Sequence, residues 1–582
     1  MIGTPPPRKL VAMAPETTPR TSTQREVGLR PPELVMRLER MGSFFSTRLS
    51  FMPTLIRRLS REGWRFSRPA FALDAQGYGH AIYCFSNGTQ AYSLVAFSHQ
   101  LDPSARTDRV IAEAWDATFA LFDGIPNPTD IERLSQNVPL QEAGRYLPSE
   151  LVLSRANKSI RLFDHIATSL ADGRQPDPAM LVSVGYLMRT TAVYGNGKFG
   201  IADRAKYADR PELSGPFQAE MLTVYLIRCF TIDLVEHVAR RRNPDAFVPL
   251  ETKLKRHIGV GNATGLGMAP FLITHPVLIN NWIAARETAL ARVRSLAHVE
   301  TAPFAHFCDL IARARRHLAE WSTEDSRQSS RIAKLRENLA DLQSWTCAGA
   351  DWLDAPLPWD ALFRRAETCL SLEAQELLVS LLLEPHGKLV DGLADSMAAE
   401  ARERLDPAMP LAQLHNLLRA PYGWALAINF HDPEQMRHFW YVSEEKLEPR
   451  LGDRYREQGA EREMPLAIAR DVQALALALA GEDEQITTAA FLMRRPEFRQ
   501  LVRRVQTIAS HPYGEIRDNL VASSCLPIDL LRCKLSFFGA TKFDPKSDRW
   551  TRITMYQGAP FPDELGTPIA EDWSFPALDA SA

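Results

Sequence analysis

No stretch of this chain approaches the roughly 20 consecutive apolar residues that a bilayer-spanning helix needs. Nor does it open on an apolar core followed by a cleavage site, so neither a membrane anchor nor a secretory signal is expected. Cysteine is sparse. The seven residues Cys84, Cys229, Cys308, Cys347, Cys369, Cys525 and Cys533 are scattered, and none forms Cys-x-x-Cys. That argues for reduced, mostly buried thiols in a cytoplasmic protein rather than a disulfide frame or a zinc site. An excess of one charge is lacking too. The formal net charge of −2 gives the chain as a whole no nucleic-acid or membrane signature.

The familiar phosphate-binding fingerprints are also missing. Gly259, Gly261, Gly265 and Gly267 form Gly-x-Gly-x-x-x-Gly-x-Gly, which lacks the dinucleotide-binding spacing, and Lys-Leu-Lys-Arg-His precedes them rather than a buried strand. No Gly-Lys-Ser/Thr ends the run, which excludes the Walker type. No redox-cofactor motif is visible, and the cofactor is left unnamed.

What is present is the composition of an ordinary soluble globular protein, 45% apolar and 24% charged over 582 residues. That length exceeds one core and suggests about two to four domains. Residues 1–32, rich in Pro, Thr and Arg, read as a disordered tail. Tyr78–Phe97 holds two β-rich runs around Asn87-Gly88, the signature of a hairpin spanning 78–98. Helices are expected over Asp108–Phe122 and in the region Leu140–Ala171. Pro216 and Pro276 sit where a first helical turn places proline, the first opening a helix to about Arg242. The second carries Leu278, Trp282, Ala285 and Ala289 at helical spacing. Residues 321–340 are polar, a solvated helix or linker, and a boundary is placed at 345. Beyond it come an amphipathic helix over Leu370–Leu383, a second hairpin over 422–443, a helix around Leu466–Leu479 and a strand over Trp550–Tyr556.

The two hairpins resemble each other: Tyr78-Gly-His-Ala-Ile answers Tyr422-Gly-Trp-Ala-Leu. Tyr186-Leu-Met-Arg189 is echoed by Phe491-Leu-Met-Arg494, and Tyr194-Gly195 by Tyr513-Gly514, in the same order. The expected architecture is therefore α+β, predominantly α-helical, in two halves, 33–345 and 346–582. Each half would pack an antiparallel hairpin on helices, and an internal duplication is weighed against chance matches of a few residues.

Two glycine-rich knots stand out. Repeated glycine costs backbone entropy, so a site should require it, for example a backbone turning its N–H groups toward an anion. In the first, Gly259, Gly261, Asn262, Thr264, Gly265 and Gly267 would feed a helix, with Arg256 and His257 upstream as cations. In the second, Tyr194, Gly195, Asn196 and Gly197 lead to Lys198, whose amine would become an acid/base or imine-forming group if desolvated. The alternatives are close backbone packing for the first knot and a plain Asn-Gly turn for the second.

The leading functional expectation is a cytoplasmic enzyme acting on a small anionic metabolite, bearing carboxylate or phosphate. Lys198 would be its chemical group, and lyase or transferase chemistry is slightly preferred. A homodimer is left open, and neither nucleic acid nor a membrane is an expected partner. The competing readings are a helical scaffold or ligand-sensing subunit, and a bundle-type iron oxidase built from Glu220, Asp233, Glu236 and His237. The last lacks the paired Glu-x-x-His spacing, so no metal set is assigned. His431, Asp432, Glu434 and His438 read as a polar turn, and Cys525 as a structural thiol rather than a nucleophile.

Overall fold

The computed structural model describes residues 26–37, 39–102, 114–137, 147–195, 210–213, 215, 217–264, 275–323, 326–348, 351–397, 405–432, 440–443, 449–451, 463–465, 468–516, 527–545 and 551–578. Within them the protein is mixed α/β with helix predominant.

The first part of the chain alternates strands with helices. Helices α1 (Pro32–Val35) and α2 (Phe51–Arg61) precede strands β1 (Arg65–Leu73), β2 (Gly79–Ser86), β3 (Ala91–Ser98) and β4 (Ala117–Asp123). Then follow α3 (Pro128–Asn137), β5 (Glu150–Lys158), α4 (Ile160–Ala171), α5 (Pro178–Val184) and β6 (Tyr186–Gly195). Helices α6 (Gln218–Arg242) and α7 (Thr252–His257) lead to β7 (Gly259–Thr264). The remaining helices include Pro276–Arg294, Thr301–Ala319, Ser326–Ala348, Leu372–Leu383, Leu411–Leu426 and Ile468–Ala480. Strands β8 (Trp440–Ser443), β9 (Pro449–Leu451) and β10 (Glu463–Pro465) form a small sheet of their own. Strands β11 (Lys542–Pro545) and β12 (Thr551–Met555) come last.

The main sheet has the order β1-β2-β3-β4-β5-β6-β7-β12-β11. Every neighbouring pair is antiparallel except β6 and β7, which run parallel. β2 and β3 meet at Ser86↔Ala91, and the turn between them is held by Asn87 Oδ1, which accepts from the N–H groups of Thr89 and Gln90. One face of the sheet wraps α6, and every residue of that helix from Gln218 to Ile232 is buried. A helix apolar around its circumference belongs in an interior, and this one occupies it. Tyr225 meets Phe85 and Tyr556, while Phe230 meets Tyr83 and Phe119, so rings from β2, β4 and the residue after β12 converge on it. The turn Pro562–Glu564, just past β12, touches β1, and Gly566 N–H donates to Ser60 Oγ. The sheet therefore curls around α6. Its opposite face packs Val95, Phe97, Ala120, Phe122 and Leu153 against Leu134 of α3.

Several buried arginines tie distant segments. Arg228 on α6, fully buried, donates to the carbonyls of Ile258 (2.7 Å), Ala559 (2.9 Å) and Arg256 (3.0 Å), and lies 4.0 Å from the centre of the Phe561 ring. Among the described residues no carboxylate is bonded to it, and burial lowers its pKa to about 10. It clamps the start of β7 and the segment after β12 onto the central helix. Arg30 inserts between Glu287 and Glu376, donating at 2.8 Å to both oxygens of the first and at 2.8 and 3.2 Å to those of the second. Arg286 reaches the same two carboxylates at 3.3 and 3.4 Å.

These facts correct parts of the sequence reading. Residues 26–31, included in the expected disordered tail, are described, and Arg30 is 4% exposed. The helix expected over Asp108–Phe122 is strand from Ala117, because Ala117–Phe122 is buried on both sheet faces and a short run of that kind has no telling period. The helix expected in Leu140–Ala171 begins only at Ile160, after β5. The hairpin expected over 422–443 fails at its start. Tyr422 ends a helical stripe of Leu411, Leu414, Leu418 and Tyr422, all buried, within the helix that runs to Leu426. Phe491–Arg494 is helix where Tyr186–Arg189 is strand, so the matched segments of the supposed duplication fold differently. The Leu372–Leu383 helix is buried all round from Ala374 onward rather than amphipathic. The polar stretch 321–340 lies largely in the helix Ser326–Ala348, which buries Ile332, Leu335, Leu339 and Leu342 along one side. Residue 345 falls inside that helix, and the chain beyond it returns two strands to the main sheet.

Candidate functional site

β6 and β7 start beside each other. Gly185, at φ 78°, closes α5 in the left-handed conformation that glycine tolerates, and its carbonyl accepts from Gly259 N–H at 2.9 Å. The parallel register then pairs Tyr186 with Gly259, Arg189 with Gly261 and Thr190 with Asn262. Both strands consequently point their carboxyl ends the same way, Gly195 on one and Thr264 on the other. By this register Thr264 falls level with residue 192, and β6 runs on to Gly195.

The glycines within β7 have a packing reason. A Cβ on Gly259 would stand 2.4 Å from the Met555 carbonyl oxygen, and one on Gly261 would stand 2.7 Å from the Tyr186 ring. Bare backbone at these positions lets β12 and Tyr186 close on the strand. Gly259–Thr264 is therefore sheet, in the interior of a nine-strand order, and not the start of a helix. The expectation was of glycines feeding a helix with cations upstream; the upstream residues form α7, which ends before the glycines begin.

The same register separates residues expected to act together. Arg256 and His257 stand at the amino end of β7. Arg256 donates to the Gly558 carbonyl at 2.9 Å and lies 3.8 Å from Glu564. His257 Nε2, in a 3% exposed ring, accepts from Gln557 Nε2 at 3.0 Å. Five strand steps of ~3.3 Å put this end ~17 Å from Thr264. Arg256 and His257 thus hold the segment after β12, and do not share a site with Tyr194 and Gly195. Asn196, Gly197, Lys198, Gly265 and Gly267 lie outside the described residues, as do the side chains of Tyr194 and Thr264.

Around the shared carboxyl end the charged groups are paired. Arg210 bonds Asp123 at the end of β4, and Tyr92 at the start of β3 donates to Glu212. Arg133 bonds Glu150 at the start of β5. In the middle of β7, Asn262 is 7% exposed; its Nδ2 donates to Thr190 Oγ1 at 3.1 Å, and that hydroxyl donates to the Gly261 carbonyl at 3.2 Å. Thr190 had no signal in the sequence, because its role comes from a pairing with a residue far along the chain.

The carboxylates weighed for iron have other work. Asp233 accepts from Arg68 (2.6 Å) and Tyr83 (2.8 Å), Glu236 from Lys255 (3.0 Å) and Leu250 N–H (3.1 Å), and His237 bonds the Asp74 carbonyl at 2.7 Å. Glu220 stands thirteen residues before Asp233, ~20 Å along the helix axis. It is buried, and that burial raises its pKa to about 7 against the opposing pull of its own backbone N–H. Among the described residues no group of three or more ligating side chains gathers. Of the second histidine set, Glu434 and His438 lie outside the described residues, as does Cys525.

Compared with protein-family models, curated proteins and solved structures, the chain has no match. The chemistry of the carboxyl end of β6–β7 must speak for itself.

Proposed function

We propose that the protein is an enzyme acting on a small anionic metabolite, carboxylate or phosphate, bound at the carboxyl end of the β6–β7 pair. The observation that carries this reading is the parallel register Thr190↔Asn262, which makes neighbours of the two strands that precede residues 196–200 and 265–267 in the chain. In sheets with parallel neighbours, ligands commonly bind outside such carboxyl ends, where successive backbone N–H groups turn free. The segment 195–200 brings Lys198, between Gly197 and Phe199, whose amine suits imine formation or proton transfer in a lyase or transferase. Arg256 and His257 have no part in this site, given their place at the other end of β7. A cytoplasmic location fits the free state of the described cysteines Cys84, Cys229, Cys308, Cys369 and Cys533. A homodimer stays open.

One observation favours a second reading, a scaffold or ligand-sensing subunit without catalysis: Gly259 and Gly261 are explained by packing alone. Gly195, Gly197, Gly265 and Gly267 are not covered by that explanation. A thermal-shift screen of small carboxylates and phosphates separates the readings, since a ligand at 100 times its Kd adds about 2.7 kcal/mol to stability. The enzyme reading expects a hit, turnover, and loss of turnover in Lys198→Met with the unfolding midpoint unchanged. No hit from either class of anion, or full activity in Lys198→Met, would reject it.

A further inference from the structure

His317, near the end of the helix Thr301–Ala319, is 2% exposed, and both of its ring nitrogens face backbone carbonyls. Nδ1 lies 2.5 Å from the Pro576 oxygen and Nε2 lies 2.7 Å from the Thr541 oxygen. A carbonyl oxygen only accepts, so both nitrogens must donate, and only the imidazolium carries two N–H groups. Turning the ring over would put Cδ2 and Cε1 in the two places and lose both bonds. A neutral ring keeps one bond and sets the lone pair of its other nitrogen against an oxygen. Thr541, at the head of β11, is fixed by its own N–H, which donates to the Thr554 carbonyl at 3.1 Å. Pro576 stands in irregular backbone, so its carbonyl is the one able to withdraw.

We infer that His317 is a pH-operated latch on the segment 571–578: its imidazolium ties Pro576 to Thr541, and loss of one proton lets Pro576 go. The held form carries the extra proton, so the segment is fastened on the acid side and released as pH rises through the titration of the ring. What it covers is the turn after β12. Trp573 stacks on Tyr556 with ring centres 6.3 Å apart, and a Cβ on Gly558 would stand 2.6 Å from Pro576. Phe575 packs between the rings of Phe45 and His317, at 5.5 and 6.4 Å. Release bares Tyr556 and Gly558, beside the carbonyls that Arg228 and Arg256 hold. Among the described residues, the charged groups of this seam come from several elements. Arg313, one turn before His317, pairs with Asp309 (3.0 Å) and Asp572 (2.6 Å), and Asp572 lies 3.9 Å from His306. Glu320 accepts from Leu578 N–H at 2.9 Å and stands 3.8 Å from His257 Nε2. Glu571 lies 3.5 Å from Arg48 and 3.3 Å from Arg57. Carboxylates and guanidinium groups ordinarily keep one charge from about pH 5.5 to about pH 8.5, so His306 and His257 are the competing switches in that window.

Hydrogen exchange on the full chain, read by mass spectrometry and corrected for the intrinsic rate, tests this between pH 5.5 and pH 8.5. Protection of the peptide covering 571–578 should fall about tenfold or more across that range, the loss expected of one charge-assisted hydrogen bond. His317→Gln, whose amide donates but does not titrate, should change by less than about twofold, while His306→Gln and His257→Gln keep most of the fall. Should His317→Gln fail to fold, nitrogen-15 NMR of the histidine-labelled wild type reads the protons directly. One slowly exchanging ring should then carry protons on both nitrogens at pH 5.5 and on one at pH 8.5. Flat protection in the wild type, a fall just as large in His317→Gln, or no ring that changes from two protonated nitrogens to one overturns the inference.

Discussion

Glu220 gives the most direct physical test of the structure. It lies in the first turn of α6, inside the curl of the sheet, and burial lifts its carboxyl from the ordinary 4.5 to about 7. A carboxyl with a raised pKa in the folded state binds its proton more tightly there than in the unfolded chain. The stability it permits is fully present below about pH 4.5 and is lost as pH rises through about 7. At 1.36 kcal/mol per pH unit, the difference is worth about 3 kcal/mol at alkaline pH. Replacing the carboxyl with an amide of the same shape removes the proton from the balance. Glu220→Gln should therefore match the wild type near pH 5 and exceed it by about 3 kcal/mol at pH 8.5, read from urea unfolding at the two values. A wild-type and variant difference that does not change between pH 5 and pH 8.5 would refute the reasoning, because it would mean that the carboxyl meets water or a cation in the folded protein.

Two other substitutions probe the packing. Gly261→Ala should cost about 1–3 kcal/mol in chemical unfolding, since the new methyl would overlap the Tyr186 ring, and pairing it with Tyr186→Leu should recover most of the loss. An unchanged midpoint in the single variant would count against the close approach of β6 and β7. Arg30→Met should cost about 3–5 kcal/mol, because it leaves Glu287 and Glu376 buried with Arg286 as their nearest cation. A loss under about 1 kcal/mol would show that the segment before α1 is not anchored there.

How much of this was legible in the residues depends on how each element is buried. The helices Gln218–Arg242 and Pro276–Arg294 announced themselves through length and apolar content, the second also through the proline that opens it. β12 could be read from its alternating β-rich run. β4 could not, because Phe119 and Leu121 face the central helix while Ala120 and Phe122 face α3, so the run Phe119–Phe122 shows no alternation. The Leu411–Leu426 helix was hidden behind aromatic residues that resembled the first hairpin, although its leucines carry the helical period. In the candidate site, the glycine spacing suggested a loop feeding a helix where Gly259–Thr264 is strand. Gly259 and Gly261 look like loop residues in sequence, and only the approach of Met555 and Tyr186 shows why a strand needs them. The pairing of Thr190 with Asn262 comes from a parallel crossover, which leaves no local trace. The same holds for the separation of Arg256 from Thr264.

The pairing of β7 with β12 joins segments roughly 290 residues apart. During synthesis β7 would emerge from the ribosome long before its second neighbour exists, leaving one row of its backbone amides and carbonyls exposed as a sticky margin. The nascent chain must therefore keep that margin from foreign strands until β12 has emerged, so its dependence on chaperones should last through the synthesis of the segment between the two strands.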